Sequence, residues 1–351
     1  MPRPTEQPSH RAPASPPDRG WRDWLILLGV AAVWIGGARL LALFSAPYWP
    51  LAVRRLLTLQ SYLSIIMVVT CAAGLGLAFW LLRRPREDLG LGRAGPRAFV
   101  MAALLSPVAL VLSLYLAYQL ALPAIVAEIA AGGRRAAELH TGEFGRSLRQ
   151  THAVTTVLWA VVLAPMGEEL MFRGVLWSLV QRLTGGFVTK EQERSLPPEL
   201  IAEGALLRGL RAGGRWLLAG GIATIATTAI FAWMHADQQG GAGVVRVIQA
   251  ACLGLLLGVI RHVTKSIGPA AICHGLFNAM SLAKLRKWIV TGGWPESKVD
   301  AVILGEARRL TVTMPIPTWY WHVAGVCLAL LLAWAVYAAI RPRGASNRAW
   351  L

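Results

Sequence analysis

Charge is what this sequence lacks most. Of 351 residues only 15% are charged and 55% are hydrophobic, with mean hydropathy +0.51, whereas soluble chains carry about 25% charged residues. The charges that exist are clustered. No Asp, Glu, Lys or Arg occurs in 24–38, 56–82, 98–127, 150–167, 216–234, 247–260, 266–283 or 310–340. This scarcity excludes an ordinary soluble globular domain, because a helix crossing a bilayer needs about 20 mostly apolar residues. Period-2 alternation is also missing from these runs, which removes the closed barrel and leaves helices as the spanning structure. The four cysteines (Cys71, Cys252, Cys273, Cys327) form no C-x-x-C pair, and each lies in an apolar run. They read as small buried packers, not as a metal or disulfide framework. No internal repeat is visible.

The fold class expected is therefore all-α, a polytopic transmembrane bundle of about eight spanning helices. Residues 1–20 carry six prolines among polar residues and read as a disordered tail. The apolar run at 21–44 is longer than a signal-peptide core and has no convincing cleavage site, so it reads as a retained first helix. Further spans are expected near 59–82, 99–120, 154–183, 215–235, 244–263, 267–283 and 321–340, together making a transmembrane domain over 21–341 before a short tail at 342–351. Residues 123–150 mix Glu128, Arg134, Arg135, Glu138, Arg146 and Arg149 with Ala, Leu and Ile, the pattern of a separate interfacial amphipathic helix. Trp319, Tyr320 and Trp321 suit an aromatic belt. Gly254 and Gly258 have the G-x-x-x-G spacing that permits close helix contact. Gly90, Gly92 and Gly95 spell G-x-G-x-x-G, but no βαβ unit surrounds them, so the match carries no dinucleotide site.

The net charge of +17 would suggest nucleic acid in a soluble protein. Here Lys and Arg fall between spans, where they set topology and meet lipid headgroups, and no nucleic-acid partner is expected. Arg3, Arg11, Arg19 and Arg22 place the N-terminus in the cytoplasm, and Arg341 and Arg343 agree with an even number of spans. The basic stretch at 284–309 fits that topology poorly. Abundant Ala, Arg and Gly point to a bacterial cell (inner) membrane.

An ionisable side chain within the bilayer costs at least about 2.5 kcal/mol on insertion scales, so such residues mark function. Three groups stand out. In Pro165-Met166-Gly167-Glu168-Glu169-Leu170-Met171-Phe172-Arg173-Gly174, Glu169 and Arg173 are four apart and can pair. Glu168 points about 100° away and stays available as a base. In Phe231-Ala232-Trp233-Met234-His235 a histidine closes an apolar helix. In His274-Gly275-Leu276-Phe277-Asn278 a histidine and an asparagine share one face mid-span, where both need hydrogen-bond partners. Each group alone could be a charge cluster at a helix end, an interfacial histidine or interhelical glue. Together they place two carboxylates, an arginine, two histidines and an amide on three successive hydrophobic segments. A carboxylate base with imidazole and amide donors is what amide hydrolysis by water requires.

The set E-E-x-x-x-R, F-x-x-x-H and H-x-x-x-N, intact and in order over about 154–283, resembles the CAAX-processing and bacteriocin-processing (CPBP, or Abi) membrane proteases, which include the Ras-converting CAAX endopeptidase. The resemblance implies a glutamic-type intramembrane endopeptidase with no covalent acyl-enzyme and no metal cofactor. It implies that Glu168 is the general base, that His235 positions the water or the substrate carbonyl, and that His274 and Asn278 form the oxyanion site. Glu169, Arg173 and Phe231 would support them. The implied partner is a membrane-associated protein or peptide: a prenylated C-terminal tail, a leader peptide or a C-terminal anchor. A competing chemistry is zinc hydrolysis by His235, His274 and one of the glutamates; no H-E-x-x-H segment is present, but the spacing leaves a zinc site open. A non-catalytic immunity or scaffold relative and a proton-coupled transporter are further alternatives. Serine and aspartyl intramembrane chemistries fit poorly, for want of G-x-S-G and of aspartate in the apolar spans.

Overall fold

The computed structural model describes residues 25–34, 59–82, 85–150, 157–184, 205–236, 240–290 and 318–340. Among them the regular structure is helical, with no strand beyond a single bridge between Leu91 and Ser266. In chain order the helices are α1 (Leu25–Trp34), α2 (Leu59–Leu81), the one-turn α3 (Pro85–Asp88), α4 (Pro96–Gln150), α5 (158–183), α6 (Ala205–Met234), α7 (Gly240–Thr264), α8 (Ile267–Val290) and α9 (Thr318–Ile340). The expected tail at 1–20, the end of the chain at 342–351 and most of the loop at 284–320 lie outside the described residues.

Three helical stretches are long and apolar enough to cross a bilayer: Pro96–Ala127, Gly243–Thr264 and Thr318–Tyr337. Four more apolar helices, Leu25–Trp34, Val68–Leu81, Gly220–Met234 and Ile267–Leu282, are shorter over the described residues. The helical membrane class expected from the sequence is thus found, while the described residues do not confirm the figure of eight spans. Two boundaries need correction. The separate interfacial helix expected at 123–150 is instead the continuation of α4, which runs unbroken for 55 residues through Pro107 and Pro123. A proline removes one backbone donor and crowds the carbonyl four residues earlier, yet neighbouring turns keep a long helix continuous. The span expected near 215–235 starts earlier, because α6 already begins at Ala205.

Two apolar cores hold the bundle. One joins Leu27, Val30 and Trp34 of α1, Ala78 of α2, Leu170 to Leu179 of α5 and Phe231 of α6. The other joins Leu110 and Leu114 of α4, Leu253, Leu257 and Ile260 of α7, Cys273 and Phe277 of α8, and Tyr320 of α9. Helix α7 is central, packed on both α4 and α6. Its Gly254 and Gly258 make the α6 contact possible: a Cβ on Gly258 would lie 2.5 Å from Thr224 Cγ2, and one on Gly254 3.0 Å from Thr228 Cγ2. The glycine pair singled out in the sequence therefore works as expected, letting threonines sit where side chains would otherwise collide. Large apolar side chains such as Trp80, Leu112, Leu120, Val259 and Leu332 face outward, as lipid contact demands. The aromatic belt is split. Trp319 and Trp321 are exposed, but Tyr320 turns inward and its hydroxyl donates to Met280 O at 2.8 Å, tying α9 to α8.

The turn between α7 and α8 is short and firmly tied. Lys265 adopts φ +57°, uncommon for a residue with a side chain. The Ser266 hydroxyl donates to Gly92 O at 2.9 Å, and Ile267 N–H donates to Gly90 O at 2.9 Å. The 89–92 segment is thus fastened across the start of α8.

Candidate active site

Helix α5 carries the paired glutamates, and it is not a plain α-helix. It is π-helical over Leu158–Leu163, α over Ala164–Glu169, π again over Leu170–Leu176 and α over Trp177–Leu183. The first wide turn has a sequence cause. Pro165 has no N–H for Val161 O and its ring crowds that carbonyl, so the chain widens, as π-turns near functional sites often do. At the exit of this turn Ala164 N–H donates to Trp159 O, passing over Ala160 O, its ordinary α-helical partner. Asn278 of α8 fills the vacancy: its Nδ2 donates to Ala160 O at 2.9 Å. One turn away α8 comes closer still, since a Cβ on Gly275 would lie 2.5 Å from Val161 O. Proline frees that carbonyl and glycine allows α8 to pack on it. Gly275→Ala is therefore expected to push α8 away from α5, destabilising the fold by about 1–3 kcal/mol; thermal unfolding in detergent measures the loss.

This close packing sets His274 between the two glutamates. His274 Nδ1 lies 2.9 Å from Glu169 Oε1, and His274 Nε2 lies 3.6 Å from Glu168 Oε2. Glu169 also receives Arg173 Nη1 at 3.1 Å, with both side chains fully buried, as the four-residue spacing predicts. A carboxylate can only accept, so His274 carries a proton on Nδ1 and turns Nε2 toward Glu168. Arg173 extends further: Nη2 donates to Gly254 O at 3.0 Å on α7, and its Cζ lies 4.8 Å from the Phe231 ring centre and 5.7 Å from that of Phe172. A buried guanidinium is thus held by a carboxylate, a carbonyl and two aromatic faces.

Phe231 is the hub under these groups. Its ring meets Phe172 edge-on at 5.1 Å, His274 edge-on at 5.8 Å and His235 at 4.5 Å. His235, at the end of α6, sets Nδ1 2.7 Å from Phe231 O. A carbonyl also only accepts, so Nδ1 bears the proton and Nε2 keeps its lone pair. Glu168 itself is the accessible carboxylate, with 26% of its side chain exposed against none for Glu169.

Glu168, Glu169, Arg173, Phe231, His235 and His274 thus gather from α5, α6 and α8 around one locus. Asn278 stands on the same face of α8 as His274, with an N–H committed to Ala160 O. Two features escaped sequence reading. Gly275, inside the third motif, is what brings α8 onto α5. Arg261, charged, buried and near the end of an apolar run, donates through Nε to Arg173 O at 3.0 Å; its position within a hydrophobic segment was the signal. Among the described residues no three His, Cys, Asp or Glu side chains are arranged to hold a metal ion.

No curated protein and no solved structure matches the chain. One family model does, over residues 195–280, a range that contains Phe231, His235, Arg261, His274 and Asn278 but begins after Glu168, Glu169 and Arg173, which lie outside it. Residues 195–280 are similar to the family described as type II CAAX prenyl endopeptidase Rce1-like, a likeness consistent with the CAAX-processing proteases that the three motifs resemble.

Proposed function

We propose that this chain is a glutamic-type endopeptidase of the membrane, hydrolysing a peptide bond in a membrane-associated substrate with Glu168 as general base. The observation that carries the reading is the placement of Glu168 Oε2 3.6 Å from His274 Nε2, with His235 at the neighbouring helix end. That gap is too long for a direct hydrogen bond, which leaves the Glu168 carboxylate free to accept from a water. Glu168 takes a proton from this water as its oxygen attacks the scissile carbonyl, and His235 Nε2 can accept the water's other hydrogen. The proton gained by Glu168 then goes to the leaving amine, so the carboxylate is regenerated and no acyl-enzyme forms.

The oxyanion needs donors, which imidazole and amide groups supply. With Nδ1 anchored on Glu169, His274 is a donor from Nε2 whenever that nitrogen also bears a proton. The Asn278 amide has a second N–H beyond the one given to Ala160 O. Glu169 and Arg173 touch no reacting atom in this scheme. They hold His274 in one tautomer and one orientation, the role a buried carboxylate has in other hydrolytic sites.

The bundle as a whole supports a multi-pass membrane location. A bacterial inner membrane with a cytoplasmic N-terminus is the placement we favour, and the substrate class is a C-terminal anchor, a leader or a CAAX-like tail. Comparative proteomics of a deletion strain and a Glu168→Ala strain tests this. Both are expected to lose cleavage of the same membrane substrates. Wild-type processing in the Glu168→Ala strain would overturn the glutamate mechanism. Cleavage by purified protein is further expected to be indifferent to a zinc chelator, and loss restored by added zinc would turn the assignment toward a metal site built on the same histidines.

A further inference from the structure

The two π-turns of α5 follow one rule. At the first, Ala164 N–H passes over Ala160 O, and Asn278 donates to the carbonyl left vacant. At the second, Trp177 N–H donates to Phe172 O and Gly174 O, passing over Arg173 O, its ordinary α-helical partner. Here the donor is Arg261 Nε of α7, at 3.0 Å. A buried carbonyl without a partner costs about as much as a lost hydrogen bond, so each wide turn is stable only with its outside donor. Arg261 is therefore to the second turn what Asn278 is to the first.

The consequence reaches the site through Arg173. Its carbonyl is held by Arg261, while its side chain binds Gly254 O on the same helix and Glu169 Oε1. The contact between α5 and α7 is reciprocal: each helix sends an arginine to a backbone oxygen of the other. Glu169, fixed this way, receives His274 Nδ1. Arg261 is also enclosed from outside. Gly90 has φ +69°, and a Cβ there would lie 2.5 Å from Arg261 Cζ, so the missing side chain makes room for the guanidinium. The bond that Arg261 makes to α5 goes to a backbone oxygen, so its service there is that of a hydrogen-bond donor and a packed plate.

We propose that Arg261 is a positioning residue for the reaction centre: its Nε–H, by capping Arg173 O, sets the Arg173–Glu169–His274 line and hence the aim of His274 Nε2 at Glu168. This rests on Glu168 and His274 being the working pair, and the test separates the two ideas. Two substitutions dissect the donor from the charge. Arg261→Gln puts an amide nitrogen at the place of Nε and removes the charge. Arg261→Lys keeps the charge and puts a methylene where Nε stood.

The readout independent of activity is the imidazole N–H resonance of His274 in protein labelled with 15N-histidine, assigned by its loss in His274→Gln. Arg261→Gln should leave that resonance in place, though it loses stability with the Gly90 contact. Arg261→Lys should shift or broaden it. On a prenylated C-terminal CAAX peptide in nanodiscs, kcat should fall about tenfold in the Lys variant and less than about threefold in the Gln variant, with KM unchanged in both. An unmoved resonance in folded Arg261→Lys, or a Lys variant equal to or better than the Gln variant, overturns the proposal. A Gln variant that fails to fold where Lys folds counts equally against it. Should neither fold, Gly90→Ala crowds the guanidinium from the other side, and the same resonance must move. If wild-type protein cleaves no peptide, the protease reading fails, while the resonance still decides the role of Arg261.

Discussion

Glu168→Gln is expected to lower kcat by about 10²–10⁴-fold, the usual contribution of general acid–base catalysis, and to leave the melting temperature close to that of the wild type. The isostere keeps the shape of the side chain and removes the basic oxygen. Because Glu168 is partly exposed and its contact with His274 Nε2 is 3.6 Å, little packing or pairing is lost. The neighbouring residue gives the opposite pattern. Glu169 is fully buried and holds both Arg173 and His274, so Glu169→Gln should damage stability and activity together. Two adjacent glutamates, one dispensable for folding and one not, are the signature to look for. Measuring turnover and thermal unfolding on both variants decides it; a Glu168→Gln protein with undiminished kcat, or two variants that lose stability equally, would contradict the division of roles.

Much of this was legible in the sequence because the bilayer makes polar residues conspicuous. Glu168, Glu169, Arg173, His235, His274 and Asn278 stand out against apolar runs, and helical spacing alone pairs Glu169 with Arg173. The Gly254–Gly258 spacing likewise gave a helix contact. What the sequence hid depends on departures from ideal helix geometry. Spacing arguments assume 3.6 residues per turn, and α5 breaks that twice, at Leu158–Leu163 and Leu170–Leu176. Pro165 hints at the first wide turn, but nothing in a linear reading links it to Asn278 or to Gly275. The bond of Arg261 to Arg173 O spans 88 residues and involves a backbone atom, which no side-chain motif records. The continuity of α4 was also missed: charges from Glu128 onward suggested a separate interfacial helix, yet polarity changes the surroundings of a helix without ending it, and Gly132-Gly133 is tolerated within it.

The largest stability effect is expected at Arg173. Arg173→Met removes the counter-charge of Glu169 and leaves a carboxylate buried with only His274 beside it. Breaking a buried pair from one side typically costs about 3–5 kcal/mol, more than the pair itself contributes, because the surviving charge is stranded. The fold is also deprived of the tie from Arg173 Nη2 to Gly254 O and of the cation over Phe231. The double variant Glu169→Gln/Arg173→Met tests which loss dominates. If the stranded charge is the main cost, the double variant recovers a large part of the stability lost by Arg173→Met, and the cycle yields a strong coupling between the two sites. If the α5–α7 tie dominates instead, the double variant is no more stable than Arg173→Met alone. In either case the double variant should remain nearly inactive, since a neutral amide in place of Glu169 no longer fixes the proton on His274 Nδ1. A stable but inactive double variant would separate the two duties of the Glu169–Arg173 pair: neutralising its own buried charge, and aiming the histidine that faces Glu168.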